Sequence, residues 1–163
     1  MSDRPPATPE EIIARLEAKA AELAAFVASV PPAAFTASSG DAWSIAEITG
    51  HAAEFPATFA AHALRLSQNP GATVGRFEDD SERLAAINRL AGRGPGEAAD
   101  LVLATAREAA AALRTIPNAG WQVEGTRVVN SEQLTVRTLI ERFVVGHLGL
   151  HLAQAREAAG TAP

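Results

Sequence analysis

Four histidines, His51, His62, His147 and His151, stand in a chain that has no cysteine. His147 and His151 lie four residues apart in a segment whose apolar residues recur at helical spacing. On an α-helix that separation puts two side chains on one face, with Cβ atoms about 6 Å apart. Two imidazoles so placed can reach one metal ion at about 2.0–2.1 Å. The same spacing suits a hydrogen-bonded pair with no ion between them, and spacing alone does not choose. With no thiolate in the chain, a transition-metal site must use nitrogen and oxygen donors, and disulfides and cysteine nucleophiles are excluded.

His51 follows Ile48 and precedes Phe55 along the apolar stripe of an earlier helical segment, so it should point inward. His62 shares that face but lies eleven residues on. That is about 16 Å along the helix axis, too far to share one ion with His51. It reads as a structural residue or as part of a pocket wall. Glu54 stands one turn after His51, and Gln154 one turn after His151. Either could hydrogen-bond a ligand histidine, bound water or a substrate. A solvated helix acid is the competing reading of Glu54. Glu47 is also a turn from His51, but a capping role competes for it.

Glycines crowd these histidines: Gly50 before His51, Gly146 before His147, and Gly149 between His147 and His151. Each costs about 0.8–1.0 kcal/mol relative to alanine inside a helix. They imply a local need for space, either for close helix approach or for a ligand. Pro56 leaves the Ala52 carbonyl without its amide partner, which should bend the helix one turn after His51.

The elements that must position these residues are helical. Thr8 and Glu11 form a capping box for a first helix over 9–28, with Ile12, Leu16, Leu23 and Phe26 at helical spacing, and Pro31 and Pro32 end the segment. Ser44 and Glu47 cap a second helix that ends near Gln68, with Trp43 and Ile48 placed as a hydrophobic staple. Residues 70–79 read as a loop. A short helix should follow over 81–91, carrying Leu84, Ile87 and Leu90. A third long helix should span 96–116, with Leu101, Ala104, Ala112 and Leu113 facing inward. Residues 117–134 read as irregular, with a small hairpin over 122–129 around Gly125. Thr135 should cap a last helix over 136–159, with Leu134 and Leu139 as its staple and Gly160 as its stop. The pattern predicts an all-α fold: a single domain over 1–163, a four-helix bundle with a short extra helix before the third long one.

Composition narrows the functions. The formal net charge is −5 and the pI about 5.4, which disfavours a nucleic-acid surface. Aromatic residues are only 5% of the chain and tyrosine is absent, so a base-stacking platform is disfavoured too. No apolar run reaches the roughly 18 residues of a membrane span, and residues 1–9 lack the apolar stretch of a signal peptide. A cytoplasmic protein without membrane or nucleic-acid partners is the expectation. No Gly-x-Ser-x-Gly elbow or Walker phosphate loop is present. The zinc-protease pattern fails as well, because Leu148 follows His147 where that mechanism places its glutamate.

Two segments resemble a known family. Trp43-Ser44-Ile45-Ala46-Glu47-Ile48-Thr49-Gly50-His51 resembles the second-helix motif of the DinB-like superfamily, which includes the YfiT-like proteins and thiol-dependent transferases. It is unrelated to the translesion polymerase of the same name. His147-Leu148-Gly149-Leu150-His151-Leu152-Ala153-Gln154 resembles its last-helix motif. The order of helices matches over nearly the whole chain. The resemblance implies a four-helix bundle with a divalent metal on three histidines, here His51, His147 and His151. Zinc or nickel leads among the metals, followed by iron and manganese. The implied activities are metal-dependent hydrolysis or transfer of a low-molecular-weight thiol to a small-molecule substrate, and dimers are common. A non-catalytic helical module that binds a small apolar ligand or a partner is the competing function.

Overall fold

The computed structural model describes residues 6–161, so the expectation for the extreme N-terminus lies partly outside the described residues. Four long helical segments form the body: α1 (Pro9–Ala28), α3 (Ile45–Gln68), α5 (Pro95–Leu113), and the final pair α6 (Val136–Ile140) and α7 (Gly146–Thr161). A stretch of π-helix, Glu141–Val145, joins α6 to α7 in one continuous run. Two short helices, α2 (Pro32–Thr36) and α4 (Ser81–Asn88), precede α3 and α5. Both α1 and α3 pack against α5 and α7. Around the bundle the order is therefore α1, α5, α3, α7, with the first two long helices on a diagonal.

The caps begin where side-chain chemistry requires. The Thr8 hydroxyl accepts from the Glu11 amide at 3.2 Å, and Glu11 Oε2 accepts from the Thr8 amide at 2.7 Å. Ser44 and Glu47 repeat the arrangement at the start of α3, with distances of 3.2 and 2.7 Å. Each box satisfies amide donors that the first helical turn leaves without partners. The Thr135 hydroxyl accepts from the Thr138 amide at 3.1 Å and starts α6.

Several boundaries and faces differ from the sequence expectation. Pro31 and Pro32 end α1, but Pro32 also opens α2, because proline is well suited to a first helical turn. The buried stripe of α5 runs through Val102, Ala106, Ala109, Ala110 and Leu113, while Ala104 is exposed and Leu101 and Ala112 are only partly buried. Alanine at so many positions flattens the contrast between faces and hides the phase. Leu84 is also exposed. Gly160 does not stop α7, which continues to Thr161.

The hairpin is real but displaced. Strand β2 (Glu124–Arg127) pairs antiparallel with β3 (Gln133–Thr135), and β1 (Thr73–Val74), inside the expected loop, adds in parallel to β2. Gly125 sits opposite Leu134 within the ladder, so the reversal lies over 128–132. A Cβ on Gly125 would come within 2.5 Å of the Ala72 carbonyl oxygen and 2.6 Å of Leu66. Glycine is therefore needed there for close approach to α3, rather than for a turn.

Candidate metal centre

The Ser44 box fixes where α3 begins, which places His51 at the seventh helical residue with its ring buried. Trp43, just before the cap, turns its edge to His51 at 5.3 Å between ring centroids. Phe55, one turn on, meets it edge-on at 4.9 Å. Gly50 lets α4 lie against this turn: a Cβ there would fall 2.5 Å from the Ala86 carbonyl oxygen. Its role is thus close helix approach. Gly149 has open space where a Cβ would stand.

On the facing helix the π-helical stretch ends at Val145, and His147 and His151 come next in α7. A π turn inserts one extra residue, rotating the later part of the helix by about 100° relative to an uninterrupted α-helix. That rotation aims His147 and His151 at α3. Among the described residues, His51, His147 and His151 form the cluster able to hold a metal ion: one ring nitrogen from each, all within 4.8 Å of one another. The centroids of the His51–His147 and His51–His151 ring pairs are 5.0 and 4.9 Å apart. Nε2 of His151 lies 2.9 Å from Nε2 of His147. Two nitrogens bound to one ion at about 2.0–2.1 Å would be roughly 2.9 Å apart at a right angle and roughly 3.4 Å apart at a tetrahedral one. The spacing of this pair fits a shared ion, and it equally fits a hydrogen bond between the two rings.

The hydrogen bond of His151 agrees with the shared-ion fit. His151 Nδ1 lies 2.6 Å from the amide oxygen of Gln154, an acceptor, so Nδ1 carries the hydrogen and Nε2 keeps its lone pair. Nδ1 of His51 is buried and has no hydrogen-bond partner; Glu54 Oε2, at 4.0 Å, is beyond hydrogen-bond reach. Burial, followed by the charges of His151, Arg83 and Arg76, pushes His51 down to about 3. Burial first, then the other two histidines and the same arginines, pushes His147 down to about 2. Burial also lowers His151, against the upward pull of its hydrogen bond to Gln154. All three rings are therefore neutral near pH 7, the state a metal ligand requires.

Glu54 is not a solvated acid. It is 7% exposed and pairs through Oε1 with Arg76, which follows β1 in the stretch read as loop. Arg76 also lies 3.6 Å from Asp80 and over the Phe55 ring at 5.3 Å. His62 stands apart from the cluster, near Arg65 at 3.3 Å and Phe59 at 5.6 Å. Burial lowers its pKa as well.

His51 and His147 open into a cleft of about 230 Å³ whose lining includes Phe55, Phe59, Phe143, Arg76, Arg83 and Arg127. Phe55 stacks on His147 with centroids 3.5 Å apart. Sequence reasoning missed the three arginines and Phe143. The arginines come from a loop, a short helix and a strand, so no periodic pattern joins them. Phe143 lies in the π-helical stretch. The buried residues Ile140, Val144, Leu148 and Leu152 recur strictly every fourth residue. Three successive steps of four, where an α-helix averages 3.6, are the one trace of that stretch in the sequence.

The fold and these motifs define a class. Residues 15–155 match the model of the DinB superfamily, and the chain belongs to that family. Among solved structures it is similar to YfiT from Bacillus subtilis, described as a probable metal-dependent hydrolase with an unusual four-helix bundle topology. That similarity has a TM-score of 0.75 at 18% identity and covers 98% of this chain and 92% of YfiT. No curated protein sequence gives a significant match. No described helix is long and apolar enough to cross a membrane.

Proposed function

We propose that this chain is a metal-dependent hydrolase in which His51, His147 and His151 hold one divalent ion at the inner end of the cleft. The observation that carries this reading is the convergence of three neutral ring nitrogens within 4.8 Å beside an open cleft. The description of YfiT points to the same class of chemistry. When bound, the ion would supply Lewis acidity and lower the pKa of water toward about 7. Zinc and nickel suit an all-imidazole donor set, and iron and manganese rank after them.

The protein's own groups do the rest. Gln154 holds the proton of His151 on Nδ1, which fixes the tautomer that leaves Nε2 available. Glu54, anchored by Arg76, places a buried carboxylate 4.0 Å from Nδ1 of His51. Phe55 and Phe59 keep water from the inner wall, which strengthens electrostatic interactions there. The open cleft favours an enzyme over a metal that only staples two helices.

The test is a panel of small esters and amides offered to zinc-loaded protein, to chelated protein and to His147→Ala. Turnover should appear only in the loaded parent and fall at least about 100-fold in the other two. Equal rates in all three would remove the proposal. Turnover only when a low-molecular-weight thiol is added would reassign the site to thiol transfer.

A further inference from the structure

The chain carries a formal net charge of −5, yet three arginines line this one cleft, Arg76, Arg83 and Arg127, with a single acid, Glu78. Their charges are unequally neutralised. Arg76 is paired with Glu54 and approached by Asp80. Arg83 donates at 2.7 Å to the backbone carbonyl of Glu78 and lies over the Trp43 ring at 5.9 Å. Among the described residues, no carboxylate comes within 4.0 Å of its guanidinium. Arg127 reaches Glu132 only at 3.9 Å, and Glu132 is already engaged by Arg142 at 2.6 Å. The Arg127 guanidinium lies over the Phe143 ring at 4.7 Å.

The cleft thus offers two under-neutralised guanidinium groups, one of them over the ring of Phe143. A guanidinium presents a rigid fork of N–H donors that matches a carboxylate. A cleft of about 230 Å³ suits a small molecule. We propose that the cleft takes a small organic carboxylate, its anionic head drawn to Arg83 and Arg127 and its apolar body against Phe55 and Phe143. This names a substrate class for the metal centre proposed above and rests on that reading.

Calorimetric titration with phenylacetate and its neutral isostere phenylacetamide tests it, on protein loaded with zinc and on protein treated with chelator. In both, phenylacetate should bind about tenfold or more tightly than the amide, a preference that weakens with salt. The double variant Arg83→Gln/Arg127→Gln should lose about tenfold in phenylacetate affinity while its affinity for the amide stays constant. Arg83→Lys/Arg127→Lys should recover part of that loss, and Arg114→Gln, a surface change distant in the chain from the cleft, should change nothing. Thermal melts establish that each variant is folded. Equal affinity for the two probes overturns the proposal. So does a preference that survives the double Gln variant or disappears with the chelator, because the ion alone would then select the anion and the metal reading would stand. A preference that depends on the arginines in a protein that takes up no metal would support this inference and sink the metal reading.

Discussion

Along α1 and α5 every buried side chain is apolar, whereas α3 and α7 bury Thr49, His51, Glu54 and His151 among theirs. The first pair is an ordinary core of aliphatic residues and alanines. The second pair holds imidazoles and a carboxylate at nearly the same burial, and Nδ1 of His51 and Oε2 of Glu54 have no hydrogen-bond partner there. A buried polar group costs about 1–3 kcal/mol unless it gains a partner, so the two sides of the bundle place different demands on their surroundings. Elements of the same type have been put to different uses. One side of the bundle holds the other side's polar groups in place.

The largest expected effect breaks the contrast at its most strained point. Arg76→Met leaves Glu54 buried without its cation and should destabilise the fold by about 3–5 kcal/mol in denaturant melts. Adding Glu54→Gln should recover most of that loss. Leu113→Ala, on the apolar side, should cost about 2–5 kcal/mol with nothing to rescue it and leave the metal content of folded protein unchanged. Recovery by the double variant is what separates a polar site from a packed core. If Arg76→Met is silent, the Glu54–Arg76 pair is not holding the wall of the site.

A smaller effect separates the two sides by pH. His51 and His147 are held at about 3 and about 2, against about 6.5 in an unfolded chain. Between those values the unfolded chain binds more protons than the folded one, so stability falls as pH drops below about 6.5. In chelated protein each ring contributes at most about 1.4 kcal/mol per pH unit. Urea melts at pH 7.5, 6.5, 5.5 and 5.0 should show the decline, and His51→Leu should make it shallower. A flat profile above the carboxylate range would mean that the rings are not held neutral by burial.

The features legible in the sequence are the local ones. The capping boxes at Thr8 and Ser44 and the four-residue spacing of His147 and His151 depend on neighbours in sequence, and all three are found in the structure. Arg76, Arg83 and Arg127 converge only through tertiary contact, and their spacing in the chain carries no trace of it. Alanine masked the phase of α5, where Ala104 was expected inside and lies outside. The sequence leaves Glu54 between a partner of the site and a solvated acid, and its burial shows only when Arg76, 22 positions later, is placed against it. The extra residue of the π-helical stretch can be seen only as a slip in the apolar stripe, although it sets the direction of two of the three histidines.

The central claim is that three residues from two helices hold one ion. Elemental analysis of folded protein after zinc loading and desalting tests it directly, on the parent and on His51→Ala, His147→Ala and His151→Ala. The account predicts about one zinc per chain in the parent and a loss of at least about tenfold in each variant, with His62→Ala retaining the parent's content. A parent that retains no zinc, or a His147→Ala protein that retains it undiminished, would contradict the three-histidine centre.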